Sequence, residues 1–392
     1  MSDTEMFYTN RMTEVAKQLI IQPLALEKVH ERQGANFIEQ DGWRVPASYG
    51  DKEAEYASVR QDGSGLIDLS SRARIEVSGS EAIQFLNGLI TNDMKTLPEN
   101  RWMPAVFPNV QGRLLASTRV LRIGDDLTGK SSSPTFLLDT EAATHERLLK
   151  TIERFTLAGD FRVSDITGKT ALLSIQGKRA AEIIGALLGA PTVAIPRDGL
   201  AQLVWQQNEI TVLRATHTAE DGFDLIVNIE HAGALWDSLV HAGAQPVAHD
   251  ALNILRIEAG IPRYGRDMDE TNIVTETNLD EAVSYTKGCY VGQEIIARIK
   301  YRGHVAKKLR GLVFERDEPI EVGAAIKSEE AKDIGRITSV AQSPGLERTI
   351  ALGYVRYEYL AAGTNVSVTC GERESVAIVN ELPFVRGSWY EN

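Results

Sequence analysis

Cysteine is scarce in this sequence, with only Cys289 and Cys370 among 392 residues. Two cysteines cannot build a disulfide framework, and they fall short of a four-cysteine zinc or iron–sulfur site within one chain. We therefore predict no metal centre held by this chain alone. The same cysteine usage is typical of a reducing compartment, and we expect a cytoplasmic protein.

Long uncharged apolar runs and an excess of positive charge are also missing. No stretch reaches the roughly 18 residues that a membrane span needs, and the polar, acidic segment Met1–Arg11 is unlike a signal peptide. The net charge of −12 argues against tight binding of a phosphate backbone, which needs clustered lysine and arginine. We expect a soluble protein with no direct nucleic-acid partner and no membrane partner. A local basic pocket for a small anion is not excluded.

Strand and helix patterns alternate through most of the chain. Ala73–Ser78 alternates with a period of two, and a helical run, Ala82–Leu89, follows it. The same order recurs at Thr170–Gln176 and Arg179–Leu188. Both segments continue as strand, strand, helix, which is the order of α+β modules of the split βαβ type. In the second segment, Asp221-Gly222 lies between two strand patterns and predicts a hairpin.

The character of the sequence changes near residues 303–308. Short strand patterns separated by glycine and proline follow, and they indicate a small antiparallel barrel. Further upstream, Gly124–Pro134 is dense in Asp, Gly and Ser and predicts a long hairpin tip. We predict three regions, namely residues 1–160 together with 246–305, residues 161–245, and residues 306–392.

The densest chemical signal is the run K-G-C-Y-V-G-Q-E from Lys287 to Glu294, which continues as I-I-A-R to Arg298. The pattern turns helical from Gly292, so Cys289 is expected just before a helix N-terminus and two residues from Lys287. Both features favour the thiolate form of a cysteine. A small buried apolar side chain is the alternative, and the local residues do not decide between the two.

This run, together with Arg302-Gly303, resembles the signature of the YgfZ family of folate-binding proteins. The resemblance implies support for the maturation or repair of iron–sulfur enzymes, with a link to tRNA modification through such an enzyme. It implies iron–sulfur client or assembly proteins as partners. It also makes Cys289 the functional thiol and the candidate catalytic residue.

A wider resemblance to the T-protein of glycine cleavage, an aminomethyltransferase, covers nearly the whole chain. It is carried by motifs in the family's order, among them Gly65–Ser70 (GLIDLS), Thr91–Asp93 (TND), Gly335–Ser339 (GRITS) and Pro383–Val385 (PFV). The resemblance implies an α+β fold of two ferredoxin-like modules and a C-terminal antiparallel β-barrel around a central folate cavity. It also implies tetrahydrofolate, or a one-carbon derivative of it, as the ligand.

The segment Ala219–Asp224 (AEDGFD) resembles the family's G-E-x-G-[aromatic]-E stretch, whose carboxylates face the pterin ring. Glu220 and Asp224 are therefore the candidate pterin ligands, since a carboxylate can grip the amidine-like edge of a pterin with paired hydrogen bonds. A polar hairpin tip is the plainer alternative. Four cations are candidate partners of the folate, although a solvated surface would also explain each of them: Lys287, Arg298, Arg302 and Arg386.

Two departures from the T-protein bear on activity. Leu115 and Ala116 stand where the T-protein has paired aspartates, so no carboxylate there can orient or deprotonate a substrate amine. Ser70-Ser71-Arg72 stands where the T-protein has Ser-His-Met. Our leading hypothesis is a folate-binding protein that uses Cys289 in iron–sulfur protein assembly or repair. The alternatives are an aminomethyltransferase or demethylase that moves one carbon onto tetrahydrofolate, and a non-catalytic interaction module on the same fold.

Overall fold

The computed structural model describes residues 21–124, 134–157, 159–189, 194–317, 319–371 and 373–391. The tip of the predicted long hairpin, residues 125–133, and the segment Met1–Arg11 lie outside these ranges. Within them, no helix is both long and apolar enough to cross a membrane.

Helices and strands alternate along the described chain. The α-helices are α1 (Glu27–Arg32), α2 (Lys52–Arg60), α3 (Ala82–Leu89), α4 (His145–Glu153), α5 (Ala180–Leu188), α6 (Ile229–His241), α7 (His249–Glu258) and α8 (Gln293–Arg302). The first strands are β1 (Gln22–Pro23), β2 (Asn36–Gln40), β3 (Trp43–Ser48), β4 (Gly65–Asp68), β5 (Ala73–Ser78), β6 (Arg101–Pro108), β7 (Leu114–Ile123), β8 (Thr135–Thr140) and β9 (Arg162–Asp165). The next are β10 (Thr170–Gln176), β11 (Leu200–Trp205), β12 (Asn208–Arg214), β13 (Gly222–Asn228) and β14 (Gln245–Pro246). The last are β15 (Lys307–Phe314), β16 (Ala325–Lys327), β17 (Asp333–Ser343), β18 (Arg348–Arg356), β19 (Asn365–Cys370) and β20 (Arg373–Asn380).

Strands β1 to β14 form two large sheets and a small one. The first large sheet has the order β6-β7-β8-β5-β9, the second has the order β11-β12-β13-β10-β4-β14, and the small sheet is β1-β3-β2. Each large sheet contains the chain order strand, helix, three strands, helix, strand, and the second sheet has β4 as a sixth strand. The predicted α+β fold with a duplicated module is therefore confirmed, and each module has more strands than the sequence pattern showed. The predicted hairpin is present as the antiparallel pair β12 and β13.

Strand pairing crosses the predicted division at residue 160 in both directions. Strand β9 follows that residue but pairs with β5 of the first sheet. Strand β4 precedes it but pairs with β10 of the second sheet. The two modules are therefore interleaved in the chain, and the three-region division stays a proposal.

The two large sheets pack face to face. Their inner faces share a buried apolar layer that includes Leu121, Leu137, Leu172, Leu213 and Ile226. Because side chains alternate between the two faces of a strand, residues two positions away point into the same layer. Arg119, Asp139 and Asp224 lie at such positions. The period of the strands thus places three charged side chains between the sheets.

The C-terminal strands form a closed barrel in the order β15-β18-β17-β16-β19-β20, which confirms the predicted barrel. The barrel packs on α7, since Ile254 and Leu255 share one buried cluster with Leu309 and Leu352. Burial of these apolar side chains attaches the barrel to the two large sheets.

The end of α7 carries a buried carboxylate that joins several parts of the molecule. Glu258 is fully buried and accepts hydrogen bonds from Tyr56 Oη at 2.9 Å, Arg60 Nε at 2.9 Å and Ser343 Oγ at 2.5 Å. Arg60 also donates from Nη1 to Glu220 Oε1 at 2.9 Å. One guanidinium therefore pairs with two buried carboxylates and joins α2 to α7 and to the loop before β13, and Ser343 joins the barrel to the same group through Glu258.

Arg60→Met should destabilise the protein strongly, because it leaves Glu258 and Glu220 buried without their cation. Breaking a buried pair by removing one partner costs about 3–5 kcal/mol. Urea unfolding followed by circular dichroism measures the loss. Arg179→Met is the control, since the ion pair of Arg179 with Glu182 is exposed, and it should change the midpoint little. Equal midpoints for the two variants would show that this junction does not depend on Arg60.

Candidate functional site

A cavity opens where β4, the segments after β4 and β8, the small sheet and the first half of α7 meet. It holds about 910 Å³ of empty space when its open mouth is included. Its apolar walls include Val45, Pro46, Ile67, Leu69, Val247, Leu252, Ile261 and Pro262. Its polar lining includes Asp68, Arg72, Glu141, His217, His249, Arg256 and Arg263. Apolar walls with a few convergent polar groups are typical of small-molecule sites.

A row of ion pairs, here called the charge chain, runs between the two large sheets, with arginines and carboxylates in alternation. Arg72 and Glu141 at one end of it form one wall of the cavity. Arg72 donates from Nη1 to Glu141 Oε1 at 2.6 Å and from Nε to Asp139 Oδ1 at 2.9 Å. Arg119, which lies opposite Asp139 in the β7–β8 ladder, donates from Nε to Asp139 Oδ2 at 2.7 Å. Arg119 Nη1 then crosses to the second sheet and donates to Asp224 Oδ2 at 2.6 Å.

The charge chain keeps its carboxylates ionised. Burial alone would raise the pKa of Asp224, but His217 and Arg119 outweigh it and hold that pKa far below its ordinary range. Burial likewise opposes ionisation of Asp139, and its two arginine partners still lower the pKa of that carboxyl. Both groups therefore act as permanent hydrogen-bond acceptors at neutral pH.

A second buried group supports the opposite wall. Asp68 Oδ2 lies 3.0 Å from His30 Nε2, and the other ring nitrogen of His30 lies 2.8 Å from Tyr49 Oη. The backbone N–H of Ser70 donates to Asp68 Oδ1 at 2.8 Å. Burial would raise the pKa of Asp68, yet His30 and Ser70 lower it. The contacts fix Asp68 as an anionic edge of the cavity.

The mouth of the cavity carries a cation, Arg263, whose guanidinium donates to the side-chain oxygen of Gln40 rather than to a carboxylate. Arg263 Nη1 lies 3.2 Å from His249 Nε2, while its closest approaches to the carboxylates of Glu141 and Asp41 are 3.8 and 3.6 Å. Burial, and then the charge of Arg263, lower the pKa of His249, so its imidazole is neutral near pH 7. Arg263 is therefore placed to meet an anionic group that enters the cavity.

The predicted pterin carboxylates have different surroundings. Glu220 does not line the cavity, because its Oε1 accepts from Arg60 and its Oε2 accepts from the N–H and hydroxyl of Ser388 at 2.8 and 2.6 Å. Asp224 is fully buried behind His217, which lines the cavity in its place. The hairpin thus brings His217, rather than either carboxylate, to the cavity surface.

The predicted cations do not meet at the cavity either. Lys287 is buried, and its Nζ donates to the carbonyl oxygens of Asn87, Ile90 and Asn92 at 2.7, 3.0 and 2.6 Å. Burial lowers the pKa of Lys287 to about 8. Three other predicted partners are exposed and do not line the cavity, namely Arg298, Arg302 and Arg386.

Cys289 is exposed, which excludes the small buried side chain as its explanation. The predicted helix follows it as α8, with Gly292 at its N-cap in the left-handed region at φ 76°. A side chain at Gly292 would lie 2.3 Å from the carbonyl oxygen of Asn109, so the loop packs tightly on the β6–β7 hairpin. The ammonium group of Lys287 is engaged with backbone carbonyl oxygens. The loop of Cys289 contributes no lining residue to the cavity.

Sequence reasoning missed most of the residues that line the cavity, such as His217, Glu141 and Arg263. One signal was available. Asp139 lies in the otherwise apolar strand TFLLDT and Asp224 lies in GFDLIVN. Charged residues are rarely buried without partners. Each of these two carboxylates therefore indicates a cation on a neighbouring strand, an inference that the sequence analysis did not make.

The lowered pKa of Asp224 has a consequence for acid stability. A carboxylate whose folded-state pKa lies below its ordinary 3.8 stabilises the fold above that value, and the contribution is lost as the pH falls toward the folded-state pKa. Asp224→Asn should lower the free energy of unfolding at neutral pH by about 3–5 kcal/mol, because Arg119 loses a buried partner. It should also make the loss of stability below about pH 4 shallower.

Urea unfolding from neutral to acidic pH measures both effects. Asp62→Asn is the matched control, since Asp62 is exposed and pairs with the exposed Lys178. An acid-side slope of Asp224→Asn equal to that of the wild type would contradict the assignment.

Known proteins share this architecture along the chain. A family model described as the GCVT N-terminal domain matches residues 26–287, and one described as the glycine cleavage T-protein C-terminal barrel domain matches residues 307–386. A protein named aminomethyltransferase from Rubrobacter xylanophilus is 32% identical over 92% of this chain and 93% of its own length. One of the same name from Thermotoga neapolitana is 29% identical over 92% of this chain and 96% of its own. The crystal structure of glycine cleavage system aminomethyltransferase T from Bartonella henselae superposes with a TM-score of 0.85 at 25% identity, covering 93% of this chain and 98% of that one.

Proposed function

The chain belongs to the glycine cleavage T-protein family, and from that premise we propose that it binds a reduced folate in the cavity and transfers a one-carbon unit from an amine donor to tetrahydrofolate. The observation that carries the proposal is the lining of the cavity. Apolar side chains, ionised carboxylates and an arginine whose carboxylate neighbours are 3.6 and 3.8 Å away occur together there. A reduced folate needs all three, because it joins a flat ring with a polar edge to an anionic tail.

The residues present fit a folate in the following way. Ile67, Leu69 and Leu252 supply apolar surface for the pterin and the benzoyl ring. Asp68 or Glu141 can accept from the amidine-like edge of the pterin, as paired hydrogen bonds to a carboxylate require. Arg263 would meet the glutamate carboxylates at the mouth. Asp224 contributes indirectly, by holding His217 at the cavity surface.

Tetrahydrofolate, when bound, supplies nitrogen atoms that accept a one-carbon unit. The chain's own part is to bind it, exclude water and move protons. Leu115 is half-buried and Ala116 is buried, and neither can hold or move a proton. Proton transfer must therefore come from a group that lines the cavity, and the amine donor need not be that of glycine cleavage.

Calorimetry with tetrahydrofolate tests the site. We expect micromolar binding, near about −8 kcal/mol. Arg263→Met should lose about 1.5–3 kcal/mol, the worth of a hydrogen bond to a charged group, while Arg298→Met, at an exposed arginine outside the cavity, should bind as the wild type does. The loss in Arg263→Met should vanish for tetrahydropteroate, which lacks the glutamate.

The controls separate two failures. A protein that binds no tetrahydrofolate would refute the proposed function and favour the interaction module. Equal losses of affinity in Arg263→Met and Arg298→Met would refute only the assignment of Arg263 as the partner of the glutamate carboxylates.

A second candidate function rests on a separate observation, the exposure of Cys289 outside the cavity. A thiol at the surface can meet a partner protein, as the iron–sulfur assembly or repair role of YgfZ-type proteins requires, including their link to tRNA modification. Lys287 stabilises the loop that presents the thiol through three carbonyl contacts. Folate binding and thiol chemistry would then occupy different faces of one molecule.

Cys289→Ser should keep tetrahydrofolate affinity while losing rescue of iron–sulfur enzyme activity in cells that lack the native protein. A serine hydroxyl has the shape of the thiol but neither ligates iron nor reacts as a thiolate does. Cys370→Ser should rescue normally, since Cys370 is half-buried in the barrel. Full rescue by Cys289→Ser would eliminate this candidate.

A further inference from the structure

His217 lies in the loop between β12 and β13 and lines the cavity. Its Nε2 is 3.1 and 2.9 Å from the two carboxylate oxygens of Asp224. An ionised carboxylate can only accept hydrogen bonds, so the proton of the neutral ring is on Nε2. The backbone N–H of His217 donates to Gln176 Oε1 at 2.9 Å, which fixes the loop from the other side.

The second ring nitrogen of His217 is free to act. Within the residues that the structure describes, Nδ1 makes no hydrogen bond, and the side chain keeps 18% of its surface exposed. In the neutral form of the ring, which has its proton on Nε2, Nδ1 carries a lone pair. This is the arrangement in which a carboxylate sets the tautomer and orientation of a histidine base.

The other two histidines near the cavity are not available in this way. His249 lies with Nδ1 3.4 Å from Asp250 and Nε2 3.2 Å from Arg263. His30 uses one ring nitrogen for Asp68 and the other for Tyr49. Each has both nitrogens engaged, so neither can take a proton without breaking a contact.

We propose that His217 is the proton acceptor of the cavity and that Asp224 is the positioning residue behind it. The inference deepens the proposed function and rests on it, since it supplies the group that the missing aspartates leave unassigned. Arg119 binds Asp139 and Asp224 together. Asp224 therefore stays ionised and in place, and the imidazole cannot turn away from the cavity without losing its partner.

The proton transfer balances without an oxidant. The lone pair of an amine nitrogen in the cavity forms the new bond to the one-carbon unit, which enters at the oxidation level of formaldehyde, and the bond from that carbon to its donor atom breaks. The attacking nitrogen then carries a positive charge, and its proton passes to the Nδ1 lone pair of His217. Nδ1 gives the same proton to the leaving group. The acceptor nitrogen thus loses one proton, the leaving group gains it, and His217 returns to its starting form with no net oxidation or reduction.

Nuclear magnetic resonance of protein with ¹⁵N-labelled histidine tests the inference without a donor. We expect the Nε2–H tautomer of His217 to predominate near neutral pH in the wild type. In Asp224→Asn the preference for this tautomer should be lost. Tetrahydrofolate should shift the imidazole signals of His217 and leave those of His241, an exposed residue of α6, unchanged. An Nδ1–H tautomer in the wild type would overturn the proposal.

The second measurement separates binding from transfer. His217→Gln keeps an N–H donor for Asp224 but has no basic nitrogen. Its dissociation constant for tetrahydrofolate should stay within about threefold, while transfer of the one-carbon unit from an aminomethyl donor to tetrahydrofolate should fall by about 100-fold or more, as loss of a general base predicts. His241→Gln is the control and should transfer normally.

The outcomes for His217 and for the folate site are distinguishable. A wild type that binds no tetrahydrofolate refutes the proposed function itself. Normal folate binding with unshifted His217 signals, or full transfer by His217→Gln, refutes only the role of His217.

Discussion

A carboxylate enclosed between two β-sheets stays ionised only beside a cation, and this constraint governs the centre of the molecule. Asp139 is 1% exposed, and Arg72 and Arg119 both bind it. Because Arg119 also binds Asp224 of the opposite sheet, one guanidinium fixes how the two sheets face each other. Each member of this chain of charges depends on the next, so the wall of the cavity is stable only as a complete set.

The same constraint decides which polar groups are free for a ligand. The most buried charges, such as Asp139 and Glu258, have all their partners within the protein and serve the fold. A ligand can engage only groups whose contacts are incomplete. In the cavity these include Nδ1 of His217 and the guanidinium of Arg263, whose carboxylate neighbours are 3.6 and 3.8 Å away.

Membership of the family establishes the fold of this chain, but it does not establish the reaction. Relatives named aminomethyltransferase match along nearly the whole chain, yet Leu115 and Ala116 replace the carboxylates that the T-protein resemblance leads one to expect. Function resides in the site rather than in the fold. Here the cavity and the exposed Cys289 lie apart, so a change at one need not disturb the other.

The sequence by itself determined the alternation of strands and helices, the barrel and the start of α8 at Gly292. These depend on strand and helix periodicity and on turn residues, which act over a few neighbours. It could not determine the site. Glu220 and Asp224 are four positions apart and looked equivalent, but the first binds Arg60, 160 residues away, and the second binds Arg119, 105 residues away. Only the packing of the sheets and α2 brings those partners together, and it thereby leaves His217 at the surface of the cavity.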